Sequence, residues 1–357
     1  MPFDYEKGYF IMNAISTLAA GTLTVYALMH FYSKNKEEKE TTGELEDSPN
    51  VRWEDVAGLP IAKAFLKDTI ILPLKFPNMF TGNRQPCKRI LLYGPPGCGK
   101  SILAKSIATE ISSSFFSISP SDILSKWFGT SEKKIKVLFD KAREKKNAVI
   151  FIDEIDSLGS SRSGHTSEHS RSILAELLIQ MDGVGKNSDG ILIVAATNTP
   201  WDLDMAVRRR FEKRIYIGLP DLDGRKNMFR IHMGSHGSSL SDDDYNILAL
   251  ATEGYSGSDI QFVCKDAIMK PIRSLNNATH FKEHKDKENG REGLIPCLPN
   301  DPQGKPMTLS DIHPDQLIVP NVSLKDCCDS LVDIKPSLNS IDLESYDQFT
   351  KEHGSYS

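Results

Sequence analysis

Short apolar runs alternate with amphipathic stretches through the middle of the chain. "KRILLYG" (Lys88 to Gly94) reads as a strand ending in a Gly/Pro turn. "AVIFIDE" (Ala148 to Glu154) and "GILIVAATN" (Gly190 to Asn198) are continuous apolar runs, the pattern of parallel strands buried on both faces. "SILAKSIATEI" (Ser101 to Ile111) places apolar residues at Ile102, Leu103, Ile107 and Ile111, a helical spacing. Strands alternating with helices predict an α/β fold, a parallel sheet with helices on both faces. After "YIGLPDLDGR" (Tyr216 to Arg225) the strand pattern stops. Residues 225–275 read as mostly helical, with an apolar stripe through Ile260, Val263, Ala267 and Ile268, and Pro271 is expected to close or kink that helix. Residues 280–320 are rich in Pro, Gly, Lys and Asp and read as an insertion or small β element; residues 323–352 return to helical spacing.

Two segments precede this pattern. Residues 34–50 are charged and lack apolar periodicity, so they read as a linker. Before them, "GYFIMNAISTLAAGTLTVYALMHFYS" (Gly8 to Ser33) contains no Asp, Glu, Lys or Arg. Tyr9 to Tyr32 is a run of 24 residues, 17 of them apolar or aromatic. As a helix it would span roughly 36 Å, against a bilayer core of about 30 Å. Residues 1–33 are therefore expected to hold a transmembrane helix, with residues 9–32 as the membrane contact. Lys34, Lys36 and Lys39 follow the run and Lys7 alone precedes it, which orients the rest of the chain to the cytosol. Asp4 and Glu6 spoil the basic start of a signal peptide. A partner-docked helix and an atypical gene product are the other accounts of this run.

Composition narrows the class. The chain has 357 residues, 39% hydrophobic and 25% charged, which is globular and sufficient for one large or two medium cores. A net charge of −5 argues against nucleic acid as a partner. No cysteine pair has C-x-x-C spacing, and Cys327 and Cys328 are adjacent, which suits neither zinc nor an ordinary disulfide. A reducing, cytosol-facing compartment is the simplest reading.

"GPPGCGKS" (Gly94, Pro95, Pro96, Gly97, Cys98, Gly99, Lys100, Ser101) follows a strand and opens a helix that continues into Ile102, the context a phosphate-binding loop requires. Glycines let backbone N–H groups wrap phosphates, and the helix N-terminus adds positive potential. Lys100 is expected on the β- and γ-phosphates of ATP, with Ser101 on Mg²⁺. "VIFIDEID" (Val149 to Asp156) delivers Asp153 to the Mg²⁺ shell and Glu154 beside it, where a carboxylate can orient the attacking water. "ATN" (Ala196 to Asn198) ends the next strand, and Asn198 there can hold the lytic water or the γ-phosphate. Cys98 is small enough to preserve the cradle and would make the site sensitive to thiol modification.

Together "VRWEDVAGL" (Val51 to Leu59), the phosphate loop, "IDEID", "ATN", "RRRFEKRIYI" (Arg208 to Ile217) and "GYSGSDI" (Gly254 to Ile260) resemble the AAA ATPase family, in its meiotic clade. "FTGNRQP" (Phe80 to Pro86), "KWFG" (Lys126 to Gly129), "ATHF" (Ala278 to Phe281) and "IPCLP" (Ile295 to Pro299) favour the vacuolar-sorting branch that disassembles ESCRT-III filaments. The resemblance runs from about Val51 to the C-terminus. It implies a large α/β ATPase subdomain over 51–220, a small helical subdomain over 221–280, a β-domain-like insertion over 281–320 and a helical segment over 321–357. Asp55, Val56, Ala57 and Gly58 would line the adenine, and Gly257 and Ser258 would lie near the nucleotide. Arg209 and Arg210 resemble arginine fingers that reach a neighbouring subunit's γ-phosphate, although which two of Arg208, Arg209 and Arg210 act stays open; the implied assembly is a homo-oligomer, a hexameric ring. Lys126, Trp127 and Phe128 match the first pore loop, which grips a protein client. In the region of the second, Gly159 to Arg171, the pattern departs: Ser172 stands where the branch tends to carry another arginine.

The branch normally begins with a three-helix microtubule-interacting-and-trafficking domain, and the first 50 residues are too short for it. The implied function is an ATP-hydrolysing ring that remodels ESCRT-III-like filaments at endosomal membranes. A membrane-anchored dislocase of the mitochondrial outer membrane also pairs a short anchor with an AAA module. Microtubule severing shares the clade but would want a basic linker, whereas acidic residues outnumber basic ones in 34–50.

Overall fold

The computed structural model describes residues 44–46, 49–80, 84–119, 131–145, 147–159, 168–184, 190–234, 239–285 and 292–355. The expected membrane-spanning run, residues 9–32, lies outside them. Among the described residues no helix is long and apolar enough to cross a membrane.

The first part of the chain runs β1 (Glu44–Glu46), α1 (Pro60–Leu66), β2 (Arg89–Tyr93), α2 (Lys100–Glu110), β3 (Ser114–Ile118) and α3 (Ser131–Glu144). It continues through β4 (Ala148–Ile152), α4 (Glu168–Gly183), β5 (Ile191–Thr197), α5 (Met205–Arg210) and β6 (Lys213–Tyr216). The strands form one sheet in the order β1-β3-β4-β5-β2-β6, parallel except for β1. Every residue of β4 and β5 is buried, as their unbroken apolar runs predict. Successive side chains alternate faces. Phe116 and Ile150 pack with Ile135, Phe139 and Leu177 of α3 and α4 on one face. Phe115, Val149 and Phe151 pack with Leu66, Leu103 and Ile107 of α1 and α2 on the other.

Strand β1 corrects the reading of residues 34–50 as wholly linker. Glu44–Glu46 pair antiparallel with Phe115–Ser117 at the sheet edge. Main-chain bonds hold an edge strand, so the three-residue Glu-Leu-Glu segment can join without a longer apolar run.

Helices α6 (Leu222–Met233), α7 (Asp242–Ala251), α8 (Gly257–Leu275) and α9 (Leu324–Asp333) share a second core of Phe229, Met233, Leu248, Ile260, Val263, Cys264 and Cys327. Pro271 does not close α8, which runs on to Leu275. The last turn survives because Pro271 is itself buried and Leu275 packs against Phe281 and Ile312, while Ser274 Oγ donates to the Pro271 carbonyl at 2.7 Å. A small antiparallel sheet follows, with β7 (His280–Lys285) between β8 (Glu292–Pro296) and β9 (Lys305–Pro306). The final helix, α10 (Ser340–His353), returns to the large sheet, where Tyr93 Oη donates to Thr350 Oγ1 at 2.9 Å.

Candidate nucleotide site

The sheet order places the C-terminal ends of β2, β4 and β5 side by side, and their loops meet at one crevice. A cavity of about 370 Å³ lies there. Asp55, Val56, Ala57, Pro96, Gly97, Cys98, Gly99, Lys100, Ser101, Ile102, Asp153, Glu154, Asn198, Gly257 and Ser258 all line it, whereas Gly58, Gly94 and Pro95 do not.

The loop after β2 needs its glycines. Gly97 has φ +75°, and a Cβ there would stand 2.8 Å from Ser258 Oγ. That close approach lets Ser258 N donate to the Gly97 carbonyl at 3.1 Å, which ties the loop to the start of α8. Gly99, at φ 90°, caps α2 and leaves the helix N-terminus facing the cavity. Lys100 is buried, and its ammonium donates to the carbonyls of Gly94 and Pro95 at 2.8 Å each. Burial pulls its pKa down to about 8, against the opposing pull of the Asp153 and Asp156 carboxylates.

Ser101 Oγ donates to Asp153 Oδ2 at 2.8 Å. The hydroxyl and the carboxylate form an all-oxygen pair at the mouth of the phosphate loop, the donor set that Mg²⁺ takes. Glu154 is a non-glycine residue at φ 50°, a strained conformation held on both sides. Its N–H donates to Asp153 Oδ1 at 3.0 Å, and the next N–H, of Ile155, bonds the Ala196 carbonyl at 3.1 Å. Asp156 grips the segment around Asn198: its carboxylate accepts from Thr197 Oγ1 at 2.7 Å and Thr199 Oγ1 at 3.1 Å.

Cys98 corrects one expectation. It is only 4% exposed, its Sγ sits 3.8 Å from the Pro96 carbonyl, and burial pushes its pKa up to about 11. The nucleophilic thiolate is therefore scarce at neutral pH, and the thiol is protected rather than reactive.

Leu59, Met228, Ile231, His232 and Gln261 also line the cavity, and the sequence reading missed them. Four of them lie on α6 and α8, whose apolar spacing announces a helix but not which residue turns toward the nucleotide. Burial, with Lys265 nearby, lowers the His232 pKa.

The three arginines end α5, whose N-cap Asp204 accepts from Ala206 N at 2.6 Å. Arg210 forms a two-pronged pair with Asp182, at 3.0 and 2.9 Å. The Arg208 guanidinium lies 6.0 Å from the Phe349 ring centroid, and Arg209 is exposed. None of the three lines the cavity of its own chain. Lys126, Trp127 and Phe128 lie outside the described residues. Ser172, at the unusual position, donates to Glu132 Oε1 at 2.7 Å and so tethers α4 to α3.

A phosphate loop, an acidic pair after the adjacent strand and a helical subdomain closing the cleft define an AAA-type ATPase that binds ATP. Residues 90–219 match the ATPase family associated with various cellular activities, residues 242–286 the AAA+ lid domain, and residues 294–354 the Vps4 C terminal oligomerisation domain. The chain is 58% identical over 311 residues to Vacuolar protein sorting-associated protein 4 of Dictyostelium discoideum, covering 86% of this chain and 70% of that protein. It is 51% identical over 315 residues to Vacuolar protein sorting-associated protein 4B of Mus musculus, covering 86% and 71%. The solved FIGL-1 AAA domain in complex with ADP superposes with a TM-score of 0.72 at 34% identity, covering 87% of this chain and 94% of that one. The chain belongs to the Vps4 family of AAA ATPases.

Proposed function

We propose that this ATPase works as a homo-oligomeric ring, a hexamer, that disassembles ESCRT-III-like filaments on the cytosolic face of endosomal membranes. The observation that carries the chemistry is the convergence of Lys100, Ser101, Asp153, Glu154 and Asn198 on one cavity edge. The match of residues 294–354 to an oligomerisation domain supports the assembly.

On this reading Lys100 leaves the loop carbonyls for the β- and γ-phosphates of ATP. Ser101 and Asp153 would hold Mg²⁺, and the chemistry that ion supplies is neutralisation of charge on the phosphate oxygens. Glu154 polarises the attacking water, and Asn198 fixes that water or the γ-phosphate. Arg209 and Arg210 reach the neighbouring subunit's γ-phosphate and stabilise charge developing in the transition state. Lys126, Trp127 and Phe128 grip the client in the pore. The test is Glu154→Gln, expected to bind ATP and assemble while turnover and filament disassembly fall by about a hundredfold or more. Unchanged turnover would remove Glu154 from this role.

The uncharged run at residues 9–32 favours a second reading, a dislocase anchored in an organelle membrane such as the mitochondrial outer membrane. Alkaline carbonate extraction of the native protein, combined with imaging, separates the two. Extraction into the soluble fraction would reject the anchor, an endosomal signal supports filament disassembly, and a mitochondrial signal supports the dislocase.

A further inference from the structure

Asn198 stands just beyond the end of β5, outside the sheet's own ladder. Its side chain has two torsions, so where its amide reaches is set by the backbone that carries it. That backbone is held from two directions. Asp156 bonds the hydroxyls of both neighbours, Thr197 and Thr199, and the Thr199 N–H donates to Thr197 Oγ1 at 3.1 Å. Independently of Asp156, Tyr346 Oη donates to the Asn198 carbonyl itself at 2.5 Å.

The tyrosine is a rigid donor. Its ring lies 5.0 Å from Trp201 and 6.0 Å from Tyr216, centroid to centroid. The helix that carries it is docked independently: Tyr93 bonds Thr350, the Arg214 guanidinium donates to the His353 carbonyl at 3.0 Å, and Ser355 N donates to the Arg214 carbonyl at 2.8 Å. Burial pushes the Tyr346 pKa up to about 12, so the hydroxyl keeps its proton across the working range. Tyr346 does not line the nucleotide cavity.

We propose that Tyr346 is a positioning residue for ATP hydrolysis, locking the Asn198 peptide plane so that the Asn198 amide meets the γ-phosphate or its attacking water in register. The proposal rests on the role read for Asn198 above. The residue that aims Asn198 arrives from 148 positions away in sequence, on the C-terminal helix. The nucleotide itself makes no use of the hydroxyl. Its loss therefore acts on the chemical step and leaves ground-state binding alone, the signature of an interaction felt in the transition state.

The experiment compares steady-state ATP turnover and ADP affinity of the full chain for Tyr346→Phe, Asn198→Ala, the double variant and Thr350→Val. Phenylalanine keeps the ring packing and removes only the hydroxyl, and retained ADP affinity reports that the variant is folded. Tyr346→Phe is expected to lower kcat about tenfold with KM within about twofold, since a misplacement of ~1 Å can cost up to a hundredfold. Asn198→Ala should lose at least as much, and the double variant no more than Asn198→Ala alone, because Tyr346 acts through Asn198. Thr350→Val removes one of several docking bonds and leaves the Tyr346 hydroxyl on the Asn198 carbonyl, so it should stay within about twofold of the parent kcat. Parent-like kcat in Tyr346→Phe beside a slow Asn198→Ala overturns the positioning role and leaves the Asn198 reading standing. Parent-like kcat in Asn198→Ala overturns that reading and the proposal with it. Additive losses in the double variant, or an equal loss in Thr350→Val, would show that the tyrosine only docks the helix and would also overturn the proposal.

Discussion

Lys100 is a cation kept without a full counter-ion. Its ammonium rests on two carbonyls, and burial lowers its pKa from 10.5 to about 8. The sign follows from which state holds more protons. Between about pH 8 and 10.5 the unfolded chain keeps the proton that the folded site has lost, so this group's contribution to the stability of the nucleotide-free protein rises with pH across that window. A triphosphate in the cavity favours the charged lysine. ATP binding above pH 8 should therefore take up a proton, and affinity should fall as pH rises through about 8. Calorimetry at pH 8.5 in two buffers of different ionisation enthalpy measures the uptake; identical heats in both would contradict it.

At the scale of the element, the start of α8 is where the helical lid meets the cavity. Ser256 and Asp259 form a reciprocal cap, and the buried Asp259 carboxylate also accepts from Ser337 N and Oγ at 3.3 and 3.0 Å. One side chain thus fixes both the helix that presents Gly257 and Ser258 and the chain segment leading into α10. Asp259→Ala leaves Ser256 capping the helix but removes the reciprocal carboxylate and orphans the buried Ser256 donors, a loss of about 1–3 kcal/mol. Its thermal midpoint should drop and its ATP affinity weaken together; a lower midpoint with unchanged affinity would show that the cap does not reach the site. Much of this architecture was legible beforehand. Strands β2, β4 and β5 declare themselves by unbroken apolar runs, and the phosphate loop and acidic pair by fixed spacing beside them. The contacts that stayed hidden are long-range. Helical spacing in residues 323–352 announces α10, but the Tyr93–Thr350 and Tyr346–Asn198 bonds depend on where that helix lands. The edge strand Glu44–Glu46 relies on main-chain bonds and, at three residues, is too short for its side chains to announce it. Pro271 reads as a stop or a kink, and the stop is overturned because the helix continues to the buried Leu275.

At the scale of the whole molecule, the proposed ring would split each subunit's chemistry between two surfaces. Glu154 and Lys100 line the chain's own cavity, whereas the arginines at the end of α5 do not. Arg210 is held by Asp182, and Arg208 rests against Phe349 of α10, so the helix that bonds the Asn198 carbonyl also braces the arginine segment. If those arginines complete a neighbour's site, two inactive variants should rescue each other. Arg209→Ala/Arg210→Ala keeps its own Glu154 and spoils the neighbour; Glu154→Gln keeps its arginines and cannot turn over. In a random one-to-one mixture a site is complete only when an intact cavity meets intact fingers, which happens in about a quarter of the interfaces of a closed ring. Turnover should therefore return to about a quarter of the parent rate in the mixture, from near zero in either variant alone. It should also vanish on dilution below the concentration that supports assembly. A mixture as inactive as its components would place the arginines in the same subunit's chemistry and break the link between assembly and hydrolysis.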